Sequence, residues 1–107
     1  MDSRDKKIQE MQILEQNLQN LLLQKQTFHM ELSETQAALN EIEDSNDEIF
    51  KIIGQLMIKT EKSKAKKELL EKENLLNLRI KTIEKQEKIL IEKLDVLRDE
   101  VMKPAKK

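Results

Sequence analysis

The chain is short and highly charged, and its composition excludes several classes of protein. Its 107 residues are 37% hydrophobic and 38% charged, which is lean for a globular core and typical of long helices. The 20 basic and 21 acidic residues nearly balance. A balanced charge and only two aromatic residues argue against nucleic acid as a partner, because phosphate binding needs a net basic surface and base stacking needs aromatic side chains. The basic run Lys62–Lys67 is typical of a solvated helix surface.

Catalytic and metal-binding chemistry lack the residues that they need. The chain has no cysteine, and His29 is its only histidine, so we expect no metal site, no catalytic residue and no thiolate chemistry. No glycine-rich loop is present to hold a nucleotide cofactor. No signal peptide or membrane-spanning run is visible. We therefore expect a cytoplasmic protein that is not an enzyme, uses no cofactor and does not contact membranes.

The first long segment carries apolar residues at alternating spacings of three and four. This spacing predicts one helix over residues 5–43 with an apolar seam that packs against a second helix. Asp44, Ser45, Asn46 and Asp47 end the helix because their side chains bond to the nearby backbone. The first seam comprises Met11, Leu14, Leu18, Leu21, Lys25, Phe28, Leu32, Thr35, Leu39 and Ile42.

A β-prone stretch at residues 49–60 surrounds the only glycine, Gly54. β-branched and aromatic residues predict two strands, and Gly54-Gln55 fits a two-residue turn with a positive φ at its first position. A continuous helix containing one glycine is the alternative. A hairpin with apolar side chains on both faces and two unpaired edges is unstable alone. We therefore expect oligomerisation through Phe50, Ile52, Ile53, Gly54, Leu56, Met57 and Ile58.

The second long segment repeats the pattern of the first and predicts a helix over residues 63–102, followed by a basic tail at 103–107. Ser63 is a candidate N-cap, and Pro104 lies beyond the helix end. Two helices joined by a short connector fold back antiparallel. The second seam comprises Leu69, Glu73, Leu76, Ile80, Ile83, Glu87, Leu90, Leu94, Leu97 and Val101.

The two seams align when Gly54 lies at their midpoint. In this register Lys25 lies one layer from Glu87, and Thr35 is level with Glu73, so that polar residues help to fix the register. A shift by one heptad is the alternative. The predicted fold is mainly α: one domain, a long antiparallel two-helix coiled coil with a central β-hairpin that assembles into an oligomeric β-barrel platform.

Apolar residues also gather where the first helix begins and the second ends. Methionine and unbranched side chains repack easily, which suits a surface that must accept many shapes. Fraying of an ordinary coiled coil explains the pattern equally well. We call this set the terminal cluster, and it comprises Ile8, Met11, Ile13, Leu14, Leu97, Val101 and Met102.

Three segments resemble the prefoldin family, and specifically its archaeal β-type subunit. They are QKQTFHMELSETQAALNEIE at residues 24–43, IFKIIGQLMIKT at 49–60 and LRIKTIEKQEKILIEKL at 78–94. The single hairpin is similar to the β type, since the α type carries two. The resemblance extends over about residues 8–102.

The resemblance implies an ATP-independent holdase chaperone. Its hexamer has two α and four β subunits, with hairpins that form the platform and coiled-coil tips that bind unfolded polypeptides and pass them to a group II chaperonin. The residues of the hairpin would build the platform, and the terminal cluster would bind clients. The alternative is a structural coiled-coil scaffold subunit of a prefoldin-like complex without client binding.

Overall fold

Two long helices joined by a β-hairpin make up the fold, as the sequence predicts. In the computed structural model, which describes residues 3–103, helix α1 spans Ser3–Asp44, strands β1 and β2 span Ile49–Ile53 and Leu56–Thr60, and helix α2 spans Lys62–Met102. Both helices begin slightly earlier than predicted. Of the predicted basic tail, only Lys103 lies within the described residues.

The residues that the helices bury are those of the two seams. Every seam position is buried or half-buried, whereas most residues between them are exposed. The deepest apolar side chains are Leu76, Ile80, Ile83 and Leu94, each at most 5% exposed. This burial confirms the predicted seams. Because two helices form a single layer, each seam residue is covered mainly by the facing helix and its own neighbours.

Contacts along the chain divide it into two compact units. The hairpin unit spans Thr27–Ile80, and the terminal unit holds the residues up to Gln26 together with those from Lys81 onward. Each unit therefore contains one segment of α1 and one of α2, packed along the seams.

Inside the hairpin unit, one polar seam residue is satisfied within its own helix. Thr35 is only 3% exposed, and its Oγ1 donates to the backbone oxygen of Glu31 at 2.8 Å. This bond to the preceding turn satisfies the hydroxyl without a partner on α2. Nearby, the Arg79 guanidinium lies 5.7 Å from the centroid of the Phe28 ring, a geometry that covers the ring by a cation–π contact.

Inside the terminal unit, Lys25 reaches across the seam to acidic residues of α2. Its Nζ lies 3.2 Å from Oε1 of Glu87 and 3.6 Å from Oε2 of Glu84, which confirms the predicted meeting of Lys25 and Glu87. Glu87 Oε1 is buried and has no aligned hydrogen bond within the described residues, so the attraction is mainly Coulombic. A half-buried ion pair of this kind favours one register more than it adds stability.

Lys62 connects the end of α1 to the start of α2. Its Nζ donates to the backbone oxygens of Glu43 and Ser45, each at 3.2 Å, and so satisfies carbonyls that the end of α1 leaves free. Helix α2 begins at Lys62, and the Ala65 amide donates to the Glu61 carbonyl at 3.0 Å. The prediction that Ser63 caps α2 is therefore wrong, because Ser63 already lies in the first turn.

We expect Leu76→Ala to lower the free energy of unfolding by about 2–4 kcal/mol, because it removes buried apolar contact and leaves a cavity in the seam. Urea unfolding followed by circular dichroism measures the change. The matched control is Leu78→Ala on the same helix, where the side chain is 61% exposed and the expected loss is within about 0.5 kcal/mol. Equal losses for the two variants would contradict the assignment of the seam.

Candidate functional site

The hairpin is regular, and its tight turn depends on Gly54. Strands β1 and β2 pair antiparallel, from Ile49 opposite Thr60 at the base to Ile53 opposite Leu56 beside the turn. Gly54 has a φ of 60°, a value that glycine adopts without steric cost and that a type II′ turn requires at its first position. The predicted hairpin and its turn are confirmed.

Both faces of the hairpin are apolar. Residues that lie directly opposite each other point to the same face, so Ile52 and Met57 share one face, and Ile53 and Leu56 share the other. The exposed fractions of these hydrophobic side chains are large. They are Phe50 47%, Ile52 70%, Ile53 52%, Leu56 66%, Met57 68% and Ile58 44%. An exposed apolar surface on two strands whose outer edges are unpaired is typical of an interface that other strands cover.

Ion pairs hold the hairpin beside the helix ends. The Nζ of Lys51 on β1 lies 2.9 Å from Oε2 of Glu68 on α2, and the Nζ of Lys59 on β2 lies 3.0 Å from Oε1 of Glu48. The hydrogen bond and charge of Lys51 hold the pKa of Glu68 below its ordinary value. Lys66 forms an ion pair with Glu43 and in the same way lowers the pKa of the Glu43 carboxyl. All of these groups are solvent-exposed, so each pair contributes little alone and more as part of a set.

The structure brings residues of the terminal cluster together in the terminal unit. Leu14 and Leu97 line one groove, and the Lys7–Glu100 ion pair, at 3.1 Å, links the start of α1 to the end of α2. Ile8, Met11 and Val101 are half-buried, as are both groove leucines. Ile13 is 62% exposed and Met102 75%.

Sequence reasoning missed the exposed apolar residue Ile89 on α2, which lies one heptad before Val96. Ile89 and Val96 are 52% and 57% exposed. Ile89 lines the groove with Leu14 and Leu97 and also a second groove with Leu21 and Leu90. The seven-residue spacing from Ile89 to Val96 was the available signal, because it places both side chains on one face beside the seam.

No group of side chains suited to hold a metal ion is found in the described part of the chain. His29 is exposed, and no group of three or more histidine, cysteine, aspartate or glutamate side chains among residues 3–103 is arranged to hold a metal. Neither described helix contains a stretch long and apolar enough to cross a membrane. The exposed apolar residues of the hairpin and of the terminal cluster are thus the two candidate functional surfaces.

Comparison with known proteins identifies the family. The family model described as "Prefoldin subunit" matches residues 5–107. The prefoldin subunit beta of Thermococcus kodakarensis is 45% identical over 85 residues, which are 78% of this chain and 73% of that protein. The prefoldin subunit beta of Pyrobaculum arsenaticum is 42% identical over 88 residues, which cover 80% and 71% of the two chains. The chain belongs to the prefoldin β subunit family.

A solved structure supports the same assignment. The crystal structure of the prefoldin beta subunit from Thermococcus strain KS-1 is similar to this chain with a TM-score of 0.87 and 34% sequence identity. The match covers 98% of this chain and 96% of that one. Two helices and a single hairpin are thus the architecture of a prefoldin β subunit, as the resemblance predicted.

We expect Ile52→Asp together with Ile58→Asp to abolish assembly with a prefoldin α subunit, because a charge on each face of the hairpin opposes burial in an oligomer. Light scattering on a sizing column measures the mass. Circular dichroism should retain its helical signal, since both side chains are exposed in the isolated chain.

The matched control for that variant is Met30→Asp together with Leu78→Asp. These helix residues of the same unit are 65% and 61% exposed, and the control chain should still assemble. An Ile52→Asp, Ile58→Asp chain that assembles as the unmodified chain does would show that the hairpin is not the interface.

We expect acidification to weaken the ion pairs that join the hairpin and the end of α1 to the start of α2. The pKa values of Glu43 and Glu68 are lowered in the folded chain. These carboxylates therefore stabilise the folded chain at pH values above their ordinary pKa of 4.5. This stability is lost as the pH falls through the folded pKa values. Thermal unfolding between pH 7 and about pH 3 measures the loss.

The corresponding variant carries Glu43→Gln and Glu68→Gln. Its unfolding temperature should fall less between those two pH values than that of the unmodified chain, because two of the titrating groups are gone. Glu71→Gln, which changes an exposed carboxylate of α2, is the control. An unchanged pH dependence in the double variant would rule out a contribution from these pairs.

Proposed function

We propose that this chain is a subunit of an ATP-independent holdase chaperone that binds unfolded polypeptides. In this proposal it forms a cytoplasmic hexamer of two α and four β subunits and passes its clients to a group II chaperonin. The observation that carries the proposal is the exposure of Ile13, Val96 and Met102 in the same unit as the groove between Leu14 and Leu97. Membership of the prefoldin family supports it.

The hairpin has the assembly role in this proposal. Phe50, Ile52 and Met57 on one face, and Ile53, Leu56 and Ile58 on the other, leave more apolar surface in water than a single stable chain normally shows. Strands from neighbouring subunits that pair with β1 and β2 bury both faces and satisfy both edges. The oligomer is then held together by hydrophobic burial and by backbone hydrogen bonds.

The terminal cluster, together with the adjacent Val96, has the client-binding role. Hydrophobic burial is non-directional, so a surface that uses it accepts many unfolded sequences. Met102 is flexible and adapts to different side chains, while Ile13 and Val96 are exposed on rigid helices. The groove lined by Leu14 and Leu97 extends this surface with half-buried side chains.

Affinity in this mechanism comes from several subunits acting on one client. A terminal cluster buries only a few apolar side chains and binds weakly alone. When subunits joined through their hairpins hold several clusters around one client, each further contact is intramolecular and the overall affinity rises. No nucleotide is needed, because binding and release follow the equilibrium between bound and free segments.

We expect Ile13→Ser, Val96→Ser and Met102→Ser, combined in one chain, to reduce suppression of client aggregation severalfold, because they remove exposed apolar surface without touching the seam. The measurement is light scattering of a chemically unfolded protein diluted into the assembled complex. Mass and helical content should not change, since these residues are exposed and lie away from the hairpin.

The matched control combines Leu23→Ser and Ile91→Ser, which change residues of the same unit that are 59% and 45% exposed and lie outside the terminal cluster. It should protect the client as well as the unmodified chain does. If the unmodified complex gives no protection at all, the chain is a scaffold subunit. If the triple serine chain protects fully, clients bind elsewhere on the complex.

A further inference from the structure

Charge is strongly separated on the two sides of the hairpin. The segment EIEDSNDE at residues 41–48, which ends α1 and leads into β1, contains five acidic residues and no basic one. The segment KTEKSKAKK at residues 59–67, which ends β2 and begins α2, contains five lysines and a single glutamate. Over most of the remaining chain the two signs are interspersed, so the hairpin unit has an acidic side and a basic side.

Both sets of charges have the sign that is unfavourable at the helix end where they lie. The carboxyl end of a helix favours cations and the amino end favours anions. The last turn of α1 contains no basic residue, and the first turn of α2 contains no acidic one. These charges therefore cost stability locally unless opposite charges compensate them.

Contacts within the chain compensate only part of this charge. Lys62 satisfies carbonyls at the end of α1, Lys66 forms an ion pair with Glu43, and Lys59 pairs with Glu48. Among residues 3–103, no ion pair is formed by the exposed carboxylates of Glu41, Asp44 and Asp47 or by the exposed ammonium groups of Lys64 and Lys67, although the charge of Lys64 contributes to lowering the pKa of Glu68.

The charged side chains that form no ion pair lie on opposite sides of the hairpin unit. At about 100° per residue, Asp44 lies on the side of α1 opposite the seam residues Leu39 and Ile42. Lys64 lies in the same way opposite the seam of α2. Because the seams face each other, these far sides face away from each other. Glu41 and Lys67 lie three residues from Asp44 and Lys64, next to them on the respective helix surfaces.

We propose that the acidic side of the hairpin unit, formed by Glu41 and Asp44, binds the basic side of a second copy of this chain, formed by Lys64 and Lys67. Complementary patches on opposite sides of one molecule fit a head-to-tail contact. This contact extends the hairpin interface and rests on the proposed oligomer, to which it adds an orientation. Because the groups are exposed, the contact is sensitive to salt and sets the arrangement of the copies more than their affinity.

Charge reversal with mixing tests this contact. One chain carries Glu41→Lys and Asp44→Lys, so that both sides are basic, and a second carries Lys64→Glu and Lys67→Glu, so that both are acidic. Sedimentation at low salt measures how each chain self-associates over a range of concentrations. We expect each reversed chain to need about tenfold more protein than the unmodified chain for half-assembly, as several weakened surface pairs predict.

An equimolar mixture of the two reversed chains should recover the assembly of the unmodified chain, because all-basic and all-acidic copies are complementary. The matched control is Lys85→Glu with Lys88→Glu, which repeats the spacing of Lys64 and Lys67 on an exposed part of α2 in the other unit and should assemble normally. Raising the salt concentration should reduce the differences between all chains.

Three results would overturn the inference: reversed chains that assemble normally, a mixture that does not recover, or an unmodified chain that stays monomeric at every concentration. The readout is mass and not client protection. Client protection is measured separately on the complex with an α subunit, so its failure there would refute the holdase proposal and leave this contact standing.

Discussion

Packing of α1 against α2 along the seams is the interaction on which the rest of the structure depends. The seams bury Leu76, Ile80, Ile83 and Leu94 almost completely, and in each unit they hold one segment of α1 beside one segment of α2. Without this packing the helices would not be stable, since most of their other residues are charged or polar and exposed. The hairpin and the terminal cluster both occupy places that the paired helices create.

The same packing leaves the hairpin unable to bury its own apolar residues. The seams of the helices face each other and leave Ile52 and Met57 70% and 68% exposed. So much exposed apolar surface on two paired strands is typical of an interface that partners cover. Family membership agrees with this physical argument, because the similar proteins are themselves β subunits, that is, parts of a larger assembly.

The sequence predicted most of the fold because its signals were periodic or unique. Alternating spacings of three and four located every seam residue, and the lone Gly54 located the turn. The cap of α2 was predicted wrongly because serine is a frequent N-cap, whereas the Lys62 contact to Glu43 and Ser45 joins residues that only the folded chain brings together. Ile89 was missed because its seven-residue spacing from Val96 lies outside the seam pattern.

The bonds from Lys62 to the carbonyls of Glu43 and Ser45 have a consequence for the order of folding. These bonds close the loop that contains the hairpin and place the end of α1 beside the start of α2. Because few residues separate the bonded groups, closing this loop costs little chain entropy. Each further seam layer then forms next to one already in place. A chain built in this way zips outward from the turn, and its rate is set by local contacts rather than by a search between distant segments.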